Sequence, residues 1–514
     1  MTRHVALGIA IAIVWSNSLR ASDAVAVPRP NAPRPNFVLV LCDDMGFSDV
    51  GCYGGEIETP HIDRLAREGL RFTQFYNCAK CTTTRAAVMT GLHPRFRNLL
   101  TREMVTIPET LRTAGYRTSL SGKWHLGHGE DQHPFARGFD RFWGLLDGCC
   151  NYFDPARPDP AFKGGRVRVF GRDAARVSEF PDDFYITDAI TDHATESIRT
   201  FAAEKKPFFV HVCYTAPHYP LHARPEDIAK YRGKYLDGWE ALRERRYRRM
   251  VEMGLVDPKW KRPEREPRAE PWEQVEHKEW QDLRMAVYAA MVDAMDRNIG
   301  RLLETLRASG VEKDTLVLFL SDNGGCGEQL GGDKPENSPG TKDTYTTCGP
   351  GWAWAQNTPF RRYKAWVHEG GIATPLVARW PGVVPAGASS AAVGHVIDFL
   401  PTFAELAGAV LPATVGDRAI IPVEGLSLAP VLRGGTRTGH ERLFWQWAGN
   451  HAAREGRFKL VWERPASRWS LYDLVADRTE TTDLAMTEPA RVESMRVAYE
   501  AWAQKVGAPV PRER

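Results

Sequence analysis

Residues 37–42 read Phe-Val-Leu-Val-Leu-Cys, an unbroken apolar run that stops at Asp43-Asp44. A run of this length without polar alternation is typical of a strand buried on both faces of a parallel sheet. Residues 207–212 (Pro-Phe-Phe-Val-His-Val) and 316–320 (Leu-Val-Leu-Phe-Leu) have the same form, and residues 375–380 are a fourth candidate. The sequence therefore predicts several buried strands that are widely separated along the chain.

Helical patterns lie between these strands. Alternating strands and helices predict an α/β domain with a mostly parallel central sheet flanked by helices, in which ligands bind beyond the carboxyl ends of the strands. Residues 223–274, rich in charge, Trp and Pro, are expected to be partly helical, with residues 243–249 forming a solvated helix face. The predicted helices span residues 61–69, 108–114, 188–204 and 285–308.

The chain has 514 residues, too many for one ordinary core, so two domains are expected. After residue 435 the pattern changes to short strand-like runs, followed by an amphipathic stretch at residues 488–506. We expect a large α/β domain at 36–435 and a small C-terminal α+β domain at 436–514, with an antiparallel sheet and a terminal helix. The strand-like runs are residues 442–447, 457–462 and 470–474.

The N-terminus has the features of a targeting segment. Arg3 and His4 precede an apolar run at residues 5–15, which is short for a transmembrane helix and suits a secretory signal. We expect a signal peptide at 1–26 and a Pro-rich linker at 27–35; a short membrane anchor is the alternative. The predicted mature protein is exported, periplasmic or secreted, with no membrane association. Its net charge of +3 argues against a nucleic-acid partner.

The sequence contains nine cysteines, and their pairing cannot be deduced from it. The odd number is compatible with one cysteine that has a separate role. Cys81, in Cys-Thr-Thr-Thr-Arg85, is open to three interpretations: a buried core residue, a disulfide partner, or a thiolate nucleophile beside Lys80 and Arg85. A cysteine-protease site would leave the acidic residues at the strand ends unexplained.

Four oxygen-bearing side chains follow two of the apolar runs: Asp43, Asp44, Asp322 and Asn323. Carboxylate and amide oxygens suit Ca²⁺ or Mg²⁺. For Asp322-Asn323-Gly324 alone, a tight turn is the better interpretation, and Asp43-Asp44 alone is an ordinary polar strand end. Both pairs after fully apolar strands favour a shared site, because uncompensated charge there would be costly.

Several basic residues lie in loops of restricted geometry. Lys123 and His125 lie between Gly122 and Gly127, where the backbone can approach a ligand. In extended geometry Lys123 and His125 would share a face, so that Lys123 meets an anion and His125 moves a proton. Two prolines flank the Ala-Pro-His218-Tyr-Pro segment and restrict its backbone. Each of these residues, and Lys364, could alternatively be an isolated surface side chain.

Taken together, these motifs resemble those of the sulfatase family, within the alkaline-phosphatase-like superfamily. Cys81 to Arg85 is similar to the signature Cys-x-Pro/Ala-Ser/Thr-Arg, and residues 122–127 to the second signature, Gly-Lys-x-His-x-Gly. The likeness covers nearly the whole mature chain and is greatest to bacterial arylsulfatase-type members. Further matching motifs, in the family's order, are Asp43-Asp44-x-Gly, Pro217-His218-x-Pro, Ser321-Asp322-Asn323-Gly, Lys364…Glu369-Gly-Gly and the tail from Leu471 to Leu484.

The resemblance implies hydrolysis of sulfate monoesters by an arylsulfatase-type enzyme. A formylglycine-generating enzyme would oxidise Cys81 to formylglycine, and the third motif position, Thr83 instead of Pro or Ala, would make conversion less efficient. Ca²⁺, or Mg²⁺, would be held by the four oxygen-bearing residues together with position 81. The substrate would be a small-molecule or oligosaccharide sulfate ester, with sulfated polysaccharide or its fragments as the source.

The resemblance also implies roles for individual residues. The hydrated aldehyde at position 81 would attack sulfur with help from Asp322, while Arg85 and Lys123 stabilise the charge. His218, with Lys364, would protonate or neutralise the leaving alkoxide, and His125 would take the proton that allows sulfate to leave.

Two other functions stay open: a phosphonate monoester or phosphodiester hydrolase on the same scaffold, and a non-catalytic binder of sulfated glycans in which Cys81 never matures. Trp352 and Trp354 are expected either to line a pocket for sugar or aryl groups or to pack in the core.

Overall fold

The computed structural model describes residues 34–511. The predicted signal peptide and most of the predicted linker lie outside this range. A ten-stranded sheet forms the centre, in the order β11-β2-β10-β9-β1-β8-β4-β5-β6-β7. In chain order the strands are β1 (Asn36–Cys42), β2 (Leu70–Phe72), β3 (Phe75–Tyr76), β4 (Arg117–Gly122), β5 (Arg141–Leu145), β6 (Phe170–Arg172), β7 (Ala175–Arg176), β8 (Phe208–Cys213), β9 (Thr315–Ser321), β10 (Leu376–Arg379), β11 (Ala388–Ser390), β12 (Gly394–His395), β13 (Thr414–Val415), β14 (Arg418–Ala419), β15 (Arg442–Trp447), β16 (Asn450–Glu455), β17 (Phe458–Glu463) and β18 (Arg468–Asp473).

The three longest apolar runs form adjacent parallel strands in the middle of the sheet. Phe37 of β1 pairs with Phe209 of β8 on one side and with Leu316 of β9 on the other. Every residue of these three strands is buried, which explains why their sequences show no polar alternation. The predicted strand at 375–380 also forms, as β10, but it runs antiparallel to β9.

Helices cover the sheet, as the α/β prediction requires. The four predicted helices correspond to α1, α3, α4 and α7, and α7 begins seven residues earlier than the apolar pattern indicated. In chain order the helices are α1 (Pro60–Arg67), α2 (Cys81–Thr90), α3 (Ile107–Thr113), α4 (Ile186–Ala203), α5 (Pro225–Ala229), α6 (Gly238–Glu252), α7 (Lys278–Ala308), α8 (Gly349–Gln356), α9 (Glu369–Ile372), α10 (Phe399–Ala407), α11 (Ala429–Leu432) and α12 (Pro489–Val506).

The C-terminal part has the predicted α+β architecture. Strands β15 to β18 form an antiparallel sheet in sequence order, and α12 packs on it through a cluster that includes Trp469, Tyr499 and Trp502. Strand β16, whose sequence Asn-His-Ala-Ala-Arg-Glu carries little β-branched or aromatic signal, was not predicted.

The predicted solvated face at residues 243–249 is wrong for two of its arginines. Arg246 is buried and forms ion pairs with Asp49 at 2.6 Å and Glu56 at 2.7 Å. Arg243 is also buried, and it donates hydrogen bonds to the carbonyl oxygens of Trp354 and Phe360. These arginines face the protein because α6 is covered by the chain around residue 355, a contact that a run of basic residues does not reveal.

Among residues 34–511, no helix combines the length and the apolar character needed to cross a membrane.

Candidate active site

Four neighbouring strands deliver polar residues to one edge of the sheet. Strands β9, β1, β8 and β4 are adjacent and parallel, so their carboxyl ends open on the same side. Asp43 follows β1, Asp322 follows β9 and Lys123 follows β4 directly, while His218 lies five residues beyond the end of β8. The structure therefore brings together residues that are up to 279 positions apart in sequence.

The floor of this site is a buried network of charges. The Lys123 ammonium contacts the Asp43 carboxylate, and both side chains are fully buried. The Arg85 guanidinium, from α2, donates to Asp322 Oδ2 from Nη2 at 2.7 Å and from Nε at 3.1 Å. A third donation, from Nη1 to the carbonyl oxygen of Lys123 at 2.8 Å, links the two ion pairs.

A second group of residues surrounds the Asp44 carboxylate. Lys364 Nζ lies 2.7 Å from it, His218 Nε2 lies 3.4 Å from Oδ2, and Asn323 Nδ2 donates to Oδ1 at 2.7 Å. Asp44 has a φ of 66°, in the left-handed region that few residues other than glycine adopt. The chain therefore turns at Asp44, just after β1, and the lysine that contacts Asp44 (Lys364) is not the one that contacts Asp43 (Lys123).

Burial and neighbouring charge oppose each other at these carboxylates. Burial by itself would raise the pKa of Asp43, but Lys123 and then His218 hold it well below its usual range. Burial would also raise the pKa of Asp44, but the neighbouring Lys364 holds it at about 2. The pKa of Asp322 is raised well above its usual value by burial and by Asp43, so this carboxylate is the basic one of the three.

Two oxygen atoms of the network are left without hydrogen bonds. Within residues 34–511, Asp43 Oδ1 and Asn323 Oδ1 are buried and have no partner, an arrangement that is costly unless another group contacts them. Ligand atoms of Asp43, Asp44 and His218 all lie within 4.8 Å of one another. The side-chain oxygens of Asp43, Asp44, Asp322 and Asn323 are hard donors of the kind that Ca²⁺ and Mg²⁺ prefer. The residues present therefore fit the predicted metal.

Cys81 is the first residue of α2, so the positive end of that helix faces it. Its Sγ lies 3.5 Å from Nδ1 of His125. The strand β4 ends at Gly122, and His125 has a φ of 57°, so Lys123 and His125 do not share an extended segment as the sequence suggested. Burial, and then Lys123, lower the pKa of His125 well below its usual value, which keeps the ring neutral and able to accept a proton.

The remaining predictions concern disulfides and the two tryptophans of the loop after β9. All nine cysteines lie in the described residues, and none is in a disulfide there. Trp352 is buried and packs against Tyr235, Trp239 and Trp272. Trp354 is 5% exposed and stacks on Arg243. Of the two interpretations of these tryptophans, packing is therefore the one that fits.

Two further residues near the site, Glu328 and Tyr219, were not predicted from the sequence. Glu328 lies in the Gly-rich loop after β9, and its carboxylate is 3.8 Å from the ammonium of Lys80. Tyr219 follows His218, and the two ring centroids are 6.5 Å apart. The only sequence signal for either was its nearness to a motif, since Glu328 is six residues beyond Asp322.

Comparison with known proteins gives consistent matches. The sequence model of the Sulfatase family matches residues 35–409, and the model of the N-sulphoglucosamine sulphohydrolase C-terminal region matches residues 361–498. The chain is 32% identical to an arylsulfatase of Klebsiella aerogenes, over 77% of this chain and 92% of that protein. It is 31% identical to an uncharacterised sulfatase of Schizosaccharomyces pombe, over 93% of this chain and 95% of the relative.

Human N-acetylgalactosamine-6-sulfatase is 29% identical, over 83% of this chain and 74% of its own length. Among solved structures, that of Ps i-CgsB superimposes with a TM-score of 0.69 at 27% identity, covering 91% of this chain and 93% of that chain. The same protein has been solved in complex with k-i-k-neocarrahexaose.

Proposed function

The chain belongs to the sulfatase family, a membership that supports sulfate ester hydrolysis, and we propose that it performs this reaction with a formylglycine formed from Cys81. The position of Cys81 supports this proposal. It lies at the start of α2, 3.5 Å from His125, and four residues before the arginine that pairs with Asp322. A side chain there can react with a bound anion while buried cations neutralise the anion's charge.

Two groups would be added to the chain before it acts. Ca²⁺, or Mg²⁺, held by Asp43, Asp44, Asp322 and Asn323 with position 81, would supply positive charge that polarises the ester. A formylglycine-generating enzyme would convert Cys81 to the aldehyde, which forms a hydrate with two hydroxyls. One hydroxyl would attack sulfur. Loss of a proton from the other would then release sulfate and regenerate the aldehyde.

The chain's own residues would bind the anion and move the protons. Lys123 and Arg85 would bind sulfate oxygens, because both are buried cations beside position 81. Asp322 would take the proton of the attacking hydroxyl, consistent with its raised pKa. His125 would remove the second proton at its Nδ1, the ring atom that faces Cys81 Sγ. His218 and Lys364, both beside Asp44, would protonate and stabilise the leaving oxygen.

We also propose that the substrate is a sulfated carbohydrate or an aryl sulfate. The relatives include an arylsulfatase and N-acetylgalactosamine-6-sulfatases, which supports both classes. Export by the predicted signal peptide, and division into a catalytic domain at 36–435 and a C-terminal domain at 436–514, remain part of the proposal.

The test is to produce the protein together with a formylglycine-generating enzyme and to compare kcat/KM on 4-nitrophenyl sulfate, bis-4-nitrophenyl phosphate and a phosphonate monoester. We expect the sulfate to be the best substrate and a Cys81→Ala variant to be inactive on it. Higher kcat/KM on either phosphorus ester would replace the sulfatase assignment by a phosphorus ester hydrolase. Full activity of the Cys81→Ala variant would remove position 81 from the mechanism.

A further inference from the structure

Asp44, a proposed metal ligand, has a backbone conformation that needs support from its neighbours. Its φ of 66° lies in the left-handed region, which a residue other than glycine keeps only where surrounding contacts hold it. The chain that follows lies directly against another segment, since a Cβ at Gly46 would come within 2.3 Å of the carbonyl oxygen of Gln356. The orientation of the Asp44 carboxylate therefore depends on the contacts that fix residues 44–46.

Asp49 makes the first of these contacts. Its side chain is fully buried, and its Oδ2 accepts a hydrogen bond from the backbone N–H of Gly46 at 2.7 Å. The same oxygen accepts from the hydroxyl of Tyr288, on α7, at 2.6 Å. The Tyr288 hydroxyl also lies 3.4 Å from the carbonyl oxygen of Asp44. One oxygen of Asp49 thus connects the turn after Asp44 to α7.

The other oxygen of Asp49 is held by Arg246, a buried residue of α6. Arg246 Nη1 donates to Asp49 Oδ1 at 2.6 Å. The same guanidinium donates to Glu56 from Nε at 2.7 Å and from Nη2 at 2.9 Å, and the Tyr235 hydroxyl donates to Glu56 at 3.0 Å. Both oxygens of Asp49 therefore accept hydrogen bonds within the protein, and the network fixes the position of its carboxylate.

We propose that Asp49, held by Arg246 and Tyr288, is a positioning residue that sets the affinity of the site for its divalent cation by fixing the backbone at Asp44. This inference rests on the metal site of the proposed function. Asp49 would not contact the ion. Groups that hold metal ligands in place raise the affinity, because the ligands are already oriented when the ion arrives. Through Arg246, a helix outside the central sheet would take part in metal binding.

Two variants test this role in the full matured protein. Asp49→Asn keeps the size of the side chain but leaves one acceptor oxygen, which cannot accept both from Arg246 and from the Gly46 N–H with the Tyr288 hydroxyl. Tyr288→Phe is milder, because it removes one donor to Asp49 and changes no charge.

Asp296→Asn is the matched control. Asp296 lies on α7, is fully buried, and accepts from the backbone N–H groups of Ile62 at 2.8 Å and His61 at 3.1 Å. It thus also holds a backbone segment through a buried carboxylate. Within residues 34–511, no hydrogen bond joins it to residues 43–49. Each protein is freed of metal with a chelator, its Kd for Ca²⁺ is measured by calorimetric titration with CaCl₂, and the melting temperature of the metal-free form is recorded.

We expect Asp49→Asn to raise the Kd for Ca²⁺ about 10- to 100-fold, the usual effect of removing a group that orients metal ligands, and Tyr288→Phe to raise it less. Asp296→Asn should lower the melting temperature and keep the wild-type Kd. An unchanged Kd in Asp49→Asn, or an equal rise in Asp296→Asn, would overturn the positioning role. If Asp49→Asn does not fold, a wild-type Kd in Tyr288→Phe overturns it. A wild-type protein that binds neither Ca²⁺ nor Mg²⁺ would remove the proposed metal site, and this inference with it.

Discussion

At the scale of single residues, the proposed role of His218 as proton donor requires the ring to gain a proton once substrate is bound. Its Nδ1 lies 2.6 Å from the carbonyl oxygen of Tyr219; a carbonyl can only accept, so Nδ1 carries a hydrogen and Nε2 is the atom that faces Asp44. Burial lowers the pKa of His218 to about 4, against the opposing influence of Asp44 and Asp43. A bound sulfate ester adds negative charge and would raise this pKa.

Replacing this histidine should discriminate between leaving groups. In His218→Gln we expect kcat on a sulfated sugar to fall about 100- to 10,000-fold, the usual contribution of general acid catalysis. The loss on 4-nitrophenyl sulfate should be much smaller, because nitrophenolate leaves without protonation. Steady-state kinetics on both substrates checks this, with intact mass at position 81 as the control for maturation. Equal losses on the two substrates would contradict the assignment of His218 as the acid.

At the scale of elements, the first turn of α2 depends on the residue that departs from the family motif. Thr83 is buried, and its Oγ1 lies 2.9 Å from the carbonyl oxygens of both Cys78 and Lys80. The hydroxyl therefore links the first turn of α2, which begins with Cys81, to the loop at residues 78–80 that precedes it. A Pro or Ala at this position would leave the buried Cys78 carbonyl without this donor, whereas the Lys80 carbonyl would still accept from the Thr84 N–H.

We expect Thr83→Ala to reduce the free energy of unfolding by about 1–2 kcal/mol, the cost of leaving a buried hydrogen-bonding group unpaired. Thr83→Ser keeps the hydroxyl and is the matched control. Guanidinium denaturation of the three proteins measures the difference. A Thr83→Ala protein as stable as the wild type would show that these hydrogen bonds contribute nothing to the fold.

The sequence predicted the elements whose pattern is strong. Strands β1, β8 and β9 are fully apolar because both faces are covered, and their direction follows from the alternation with helices. Strands β5 to β7 at one edge of the sheet are short and partly polar, so their sequences show no alternation of apolar and polar residues that would identify a strand. The antiparallel direction of β10 depends on the path of the chain between Asp322 and Leu376, which local patterns do not encode.

The site was predictable only in part for the same reason. Sequence motifs identified Asp43 and Asp322, which each follow an apolar strand, and Lys123, which lies in a loop bounded by glycines. Glu328 and Tyr219 were missed because their positions depend on tertiary contacts, such as the hydrogen bonds of Asp333 that fix the loop after β9. Trp352, which the sequence left open as a pocket residue, is buried by different tertiary contacts, with Tyr235, Trp239 and Trp272.

At the scale of the whole molecule, a buried charge cluster joins the C-terminal sheet to the main body. Lys459 of β17 lies 2.9 Å from Glu369, on α9, and 2.8 Å from Glu480, and all three side chains are fully buried. Arg478 also contacts Glu369, at 2.8 Å. Burial alone would raise the pKa of Glu369, but Lys459 and Arg478 hold it at about 2. Glu369 is therefore ionised in the folded protein at neutral pH.

Removing the central cation should loosen this junction. Lys459→Met leaves two buried carboxylates without their main partner, and we expect a loss of about 3–5 kcal/mol in the free energy of unfolding at pH 7. The control is Lys505→Met, which breaks the exposed pair with Glu424 and should cost less than about 1 kcal/mol. Denaturant titration, followed by Trp fluorescence, compares the two. Similar losses in the two variants would show that the cluster contributes no more than a surface ion pair.

Mass spectrometry of the peptide that spans residues 77–85, from protein produced with a formylglycine-generating enzyme, shows whether position 81 is formylglycine. We expect the mass loss that accompanies replacement of the CH₂SH side chain by CHO, together with an aldehyde that reacts with a hydrazide probe. An intact thiol in protein that is nevertheless active on 4-nitrophenyl sulfate would rule out formylglycine catalysis, because the reaction would then proceed without the aldehyde.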